Sequence, residues 1–94
     1  MILLKLVRAH LIIKGIVQNV SFRHHTKLKA QFFGLTGWVR NLETGEVEAV
    51  FEGPEDKVKD MIEWCKKGPM HAKVENVEIK LDKHKGEFKN FERI

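Results

Sequence analysis

Between Val7 and Ile13 every second residue is apolar, with Val7, Ala9, Leu11 and Ile13 on one side and Arg8, His10 and Lys14 mostly on the other. Alternation of period two marks a strand with one buried face. This one closes at Gly15. A sheet with one apolar face needs a covering layer, and the rest of the chain must supply it.

Two amphipathic helices do so. Phe22, Thr26, Ala30 and Phe33 recur at helical spacing, which predicts a helix to about Phe33 with Gly34 as its left-handed cap. In the second, Gly53 precedes, Pro54 takes the first helical position, and Glu55 and Asp56 sit in the first turn, where the dipole favours acids. Val58, Met61, Ile62 and Cys65 form its apolar stripe. Glu55 with Lys59 and Glu63 with Lys67 are acid-to-base pairs one turn apart, and Gly68-Pro69 stops the helix. Between the helices, Trp38–Leu42 and Glu46–Phe51 read as a hairpin joined by Glu43, Thr44 and Gly45. Val77, Ile79 and Leu81 alternate as a further strand, and Phe88 to Ile94 reads as a last one after the polar turn 82–86. The order βαββαβ with an added C-terminal strand predicts an α+β fold, a split βαβ sandwich with two helices on one face of a largely antiparallel sheet.

The 94 residues suit a single domain, 1–94. A chain this short buries only about 60 to 65% of its unfolded surface, leaving no room for a deep cofactor cavity. Lys and Arg total 17 against 13 acids, a net +4 that favours anionic ligands without naming one. Most of the basic residues are lysines interleaved with acids, a solvated surface, so the few arginines carry more information. Cys65 is the only cysteine, which excludes an intrachain disulfide and a zinc site of clustered thiolates and suits a reducing, cytoplasmic setting. The apolar start Met1–Leu4 is interrupted by Lys5, and no stretch has the length of a membrane span.

The segment Gly15-Ile16-Val17-Gln18-Asn19-Val20-Ser21-Phe22-Arg23 joins the first strand to the first helix. Such a loop can gather backbone N–H groups at a helix N-terminus into an anion nest. Arg23, within the first turn, can offer its planar guanidinium to two oxygens at once. On these grounds alone an ordinary connection with a surface arginine fits as well. Ser21 and His24 could suggest a nucleophile and base, but no third residue orients the histidine. His24 and His25 point about 100° apart on a helix, with no neighbouring metal ligand in sequence. Trp38, Trp64 and Cys65 fall where packing is expected.

The residues taken in order are more specific. Gly15-x-Val17-Gln18-x-Val20-x-Phe22-Arg23, then Ala30, then Gly34-Leu35-Thr36-Gly37-Trp38-Val39-Arg40-Asn41, Gly45-x-Val47-Glu48, Gly53, Trp64 and Gly68-Pro69 resemble the acylphosphatase family. The resemblance runs from about Val7 to Ile94. It implies a ferredoxin-like sandwich and an enzyme that cleaves the carboxyl-phosphate bond of small acyl phosphates without metal or cofactor. It further implies that Arg23 binds phosphate, that Asn41 orients the attacking water, and that Gln18, Asn19, Val20, Ser21 and Phe22 form a backbone phosphate cradle. Inorganic phosphate would then be product and inhibitor, and a monomer without nucleic-acid or membrane partners is expected. At Asn19 the family usually carries glycine, so a weakened or inactive member is the first alternative. The second is a nucleic-acid-binding module on the same sandwich, although Val7 to Ile13 offers no aromatic platform.

Overall fold

The computed structural model describes residues 4–94, so the Met1–Leu3 part of the apolar start lies outside the described residues. In chain order the elements are β1 (Leu6–Ile16), α1 (Phe22–Phe32), β2 (Thr36–Asn41), β3 (Val47–Pro54), α2 (Glu55–Lys67), β4 (Lys73–Lys83) and β5 (Phe91–Arg93). The strands form one sheet in the order β4-β1-β3-β2-β5. Every pair is antiparallel except β2 with β5.

The alternation in β1 sets the core. Val7, Ala9, Leu11 and Ile13 are buried on the helix side, and β3 places Phe51, Ala49 and Val47 opposite the last three of them. β2 adds Val39, and β5 adds Phe91, stacked on Phe51 with ring centroids 5.4 Å apart. α1 turns Phe22, Thr26 and Ala30 onto this layer, and α2 turns Val58, Met61, Ile62 and Cys65. The one polar member, Thr26, donates its hydroxyl to the Phe22 carbonyl at 2.7 Å, so its burial leaves no unpaired group. Burial pushes the Cys65 thiol well up, which makes it a packing residue. α1 ends as expected, with Gly34 at φ 71 while the Gly34 and Leu35 N–H groups donate to Gln31 and Ala30.

Of the boundaries that differ from the sequence expectation, four have a plain physical reason. Pro54 ends β3 and flanks α2 instead of opening it, because its fixed φ also suits an extended residue (φ −58, ψ 138) and it still pairs with Leu6. The hairpin turn takes in Leu42 and Glu46, since the Leu42 N–H donates to the Glu46 carbonyl at 2.8 Å and closes the loop there. β1 continues past Gly15 through a bulge, where the register against β4 shifts between Lys14 and Gly15. A Cβ on Gly15, at φ +130, would overlap the Lys73 carbonyl oxygen, so the bulge requires glycine.

The last strand shows the fourth difference: β5 is only Phe91–Arg93. Residues 84–90 instead cross the sheet face opposite the helices, as a strap from the β4 edge to the β5 edge. Glu52, on β3 and fully buried, anchors this strap. Its carboxylate accepts from the Lys85 N–H at 2.8 Å, the Gly86 N–H at 3.2 Å and Arg8 Nη1 at 3.3 Å. Arg8 also binds Glu87 at 2.6 Å. Burial alone would raise the Glu52 pKa, but these donors and nearby His84 outweigh it and hold the carboxyl below its ordinary value.

Candidate active site

The chain leaves β1 at Ile16 and enters α1 at Phe22, so residues 17–21 bridge the two. Asn19 (φ 62) and Ser21 (φ 60) are the only non-glycine residues with positive φ among the described residues. Left-handed residues set into a loop turn N–H groups toward a common point, the geometry of an anion nest. Ser21 stands at the N-cap of α1, yet its side chain makes no capping bond and the first turn carries no acid. α2, by contrast, has Glu55 and Asp56 in its first turn. No capping side chain or acid therefore competes for the first N–H groups of α1, at the positive end of its dipole.

Side chains on either side hold the loop. Gln18 Nε2 donates to the Leu42 carbonyl at 2.7 Å and the Glu46 carbonyl at 2.9 Å, tying the loop to the β2–β3 turn. Val17 is buried, and Val20 packs against the core. His25 Nδ1 lies 2.9 Å from the Ser21 carbonyl oxygen, which also accepts from the His25 N–H at 3.1 Å.

Arg23, Asn41, Gln18, Asn19, Ser21 and Phe22 line one cleft of about 320 Å³. Val20, grouped with them from sequence, does not line it; its side chain faces the core instead. Asn41 is the last residue of β2 and sits in register with Val47, which puts its side chain on the helix side, where α1 begins. Its Oδ1 is buried and meets no donor from the protein. Arg23 Nη1 donates to the Ile94 backbone oxygen at 2.8 Å, linking α1 to the end of β5. The cleft also takes in Val17, His24 and Arg93, which the sequence reading did not assign to it. Arg93 reaches it because β5 runs parallel to β2 with Arg93 beside Val39, a pairing that no local pattern announces.

The sheet face opposite the helices holds a separate polar cluster. Arg40 Nε donates to Glu48 at 2.6 Å, and His10 Nε2 lies 2.7 Å from the same carboxylate. Burial works to raise the Glu48 pKa, and these two partners outweigh it and lower it. Among the described residues no three His, Cys, Asp or Glu side chains gather as a metal site, and no helix is long and apolar enough to cross a membrane.

A family model described as Acylphosphatase matches residues 9–93. The chain belongs to the acylphosphatase family. An acylphosphatase from Pyrobaculum islandicum is 55% identical over 86 residues, covering 90% of this chain and 90% of that protein. One from a Roseiflexus species is 47% identical over 92 residues, covering 98% and 99%. The crystal structure of acylphosphatase from Bacillus subtilis superposes with a TM-score of 0.90 at 30% identity, over 94% of this chain and 98% of that one. The chain is thus an enzyme of the acylphosphatase family on the ferredoxin-like α+β fold.

Proposed function

We propose that this acylphosphatase hydrolyses small acyl phosphates by in-line attack of a water held by Asn41, on a phosphoryl group held by Arg23 and the backbone of residues 18–22. Family and fold support acyl phosphate hydrolysis as the reaction class. The observation that carries the finer reading is the buried Asn41 Oδ1. It meets no protein donor, and the residue that carries it lines the same cleft as Arg23 and the left-handed loop. A buried acceptor left unpaired costs roughly 1 to 3 kcal/mol. A water that donates to it removes that cost and is placed for attack.

Chemically, little more is needed. The phosphoryl group passes through a loose transition state, so positioning and charge stabilisation can carry the reaction. The loop N–H groups and the Arg23 guanidinium take the phosphoryl oxygens. Water oxygen forms a bond to phosphorus as the bond from phosphorus to the acyl oxygen breaks, and the electron pair leaves with the carboxylate. Asn41 accepts a hydrogen bond but no proton, so the water's protons pass to phosphate oxygen or solvent. None of these steps calls on a metal or cofactor. The carboxylate and inorganic phosphate are the products, and phosphate, fitting the same cradle, inhibits.

The Asn19 backbone holds the conformation that glycine would take there, which favours a working cradle over an inactive one. The strap across the sheet's open face argues against the nucleic-acid alternative, which would need that face as a platform. The single buried thiol favours a reducing cytoplasm.

The test separates binder from water-positioner. Arg23→Ala should raise KM, cut kcat/KM on the order of 10³-fold or more, and abolish the thermal stabilisation given by phosphate. Asn41→Ala should keep that stabilisation while kcat falls on the order of 10²-fold or more. Should Asn41→Ala lose phosphate binding as fully as Arg23→Ala, the division of roles is wrong.

A further inference from the structure

The strands that end in the cleft all run the same way. β1 and β2 are both antiparallel to β3, and β5 is parallel to β2, so the loop after β1, Asn41 at the end of β2 and Arg93 at the end of β5 gather at one end of the sheet. Phe91 is buried in the core under the helices, so Arg93, two residues on, stands on that same side. In register with Val39, it has its Cα about 8 Å diagonally from that of Asn41. β5 is an outer strand and Arg93 is exposed, so it stands at the rim of the cleft.

The charge of the cleft is one-sided. Two arginines and a histidine line it, and no Asp or Glu does. The arginine side-chain hydrogen bonds among the described residues belong to Arg8, Arg23 and Arg40, which leaves the Arg93 guanidinium without a partner there. Glu92, its neighbour in sequence, lies on the opposite sheet face.

The phosphoryl end of an acyl phosphate does not call for this second arginine. A phosphate group carries about −1.5 to −2 near neutral pH. A helix N-terminus offers roughly half a positive charge and Arg23 a whole one, which together nearly balance it. Nor does the phosphoryl group fill the space. At about 30 Å³ per water-sized group, its phosphorus and oxygens take less than half of the cleft's 320 Å³. The remaining volume falls to the acyl part, and Arg93 is the charge left over to meet it.

We propose that Arg93 reads the acyl group: it selects acyl phosphates whose acyl part carries a carboxylate over those whose acyl part is uncharged. The inference rests on the hydrolysis proposed above and adds a specificity residue to it. The planar guanidinium takes both oxygens of that carboxylate. The contact lies away from the scissile bond and is made equally in the ground and transition states, so it lowers KM and leaves kcat alone.

Benzoyl phosphate and its meta- and para-carboxy derivatives test this, since they share one ring and one scissile bond and differ in charge. Wild type should favour the better carboxylated substrate on the order of tenfold in kcat/KM, through KM. In Arg93→Gln that ratio should fall to about one, and in Arg93→Glu it should invert. Both substrates meet the same sample, so any misfolded fraction of a variant cancels from the ratio. Lys59→Gln removes an equal charge from α2, which starts at the far end of the sheet, and should leave the ratio at its wild-type value; this separates Arg93 from the net charge of the molecule. A wild-type ratio near one, a ratio that Arg93→Gln leaves in place, or one that Lys59→Gln lowers equally overturns the proposal. If wild type cleaves none of the three substrates, the reaction proposed above fails along with it, whereas cleavage of all three at equal kcat/KM removes the role of Arg93 alone.

Discussion

Asn19 and Ser21 hold a backbone shape that glycine adopts freely and that costs other residues on the order of 1 kcal/mol. Asn19→Gly should therefore ease the cradle, lowering KM and the phosphate inhibition constant, while a loop glycine costs at most about 1 kcal/mol of stability through the unfolded state. Steady-state kinetics with a phosphate titration decide it, and unchanged constants would mean that Asn19 imposes nothing on the loop. Arg23→Lys should behave more like Arg23→Ala than like wild type, because a point-like ammonium cannot span two oxygens in a plane; phosphate-dependent thermal shifts beside kcat/KM check this. At this scale the sequence was partly legible. Arg23 and Asn41 stood in motifs specific enough to single out, but the turned backbone of Ser21 did not show, since serine before a helix usually marks an ordinary cap with extended φ. Arg93 was hidden altogether, because its place in the cleft depends on which strand β5 joins.

α2 and the hairpin were readable because their information is local: a helical stripe, acids at one end and lysines at the other, and a glycine in the turn. Of β5 only the existence of a last strand was readable; its short span and the strap were not, since three residues give no periodicity and a crossing is fixed by contacts far away in the chain. β4 shows a third case. Its alternation was legible, yet the residues on its apolar side are not buried, because alternation reports a face without saying whether anything covers it. The β1 bulge at Gly15 sits directly ahead of the loop 17–21, so it sets the direction in which that loop leaves the sheet. Gly15→Ala should both destabilise the fold, by overlap with the Lys73 carbonyl, and displace the loop. The expected signature is a lower Tm together with a KM raised even far below that Tm. A lowered Tm with normal KM would show that the bulge serves only the sheet.

The whole molecule depends on two buried or half-buried carboxylates, Glu52 and Glu48, whose folded pKa values lie below the ordinary 4.5. Groups of this sign add stability that is fully present above the unfolded value and is lost as pH falls through the folded one. Tm should thus hold from neutral pH down to about 4.5 and decline below it. Glu52→Gln should start from a lower Tm at neutral pH and decline less in acid; a variant with the wild-type acid slope would remove Glu52 from this account. The strap that Glu52 anchors also acts as a tether. A strand of three residues cannot hold its place alone, and a short connection keeps β5 beside β2 at an effective concentration on the order of millimolar. A protease cut anywhere in residues 84–90 would turn that internal docking into a bimolecular one. The Ile94 oxygen would then leave Arg23 without any catalytic group having been touched, so the strap is in effect the latch that keeps the cleft assembled.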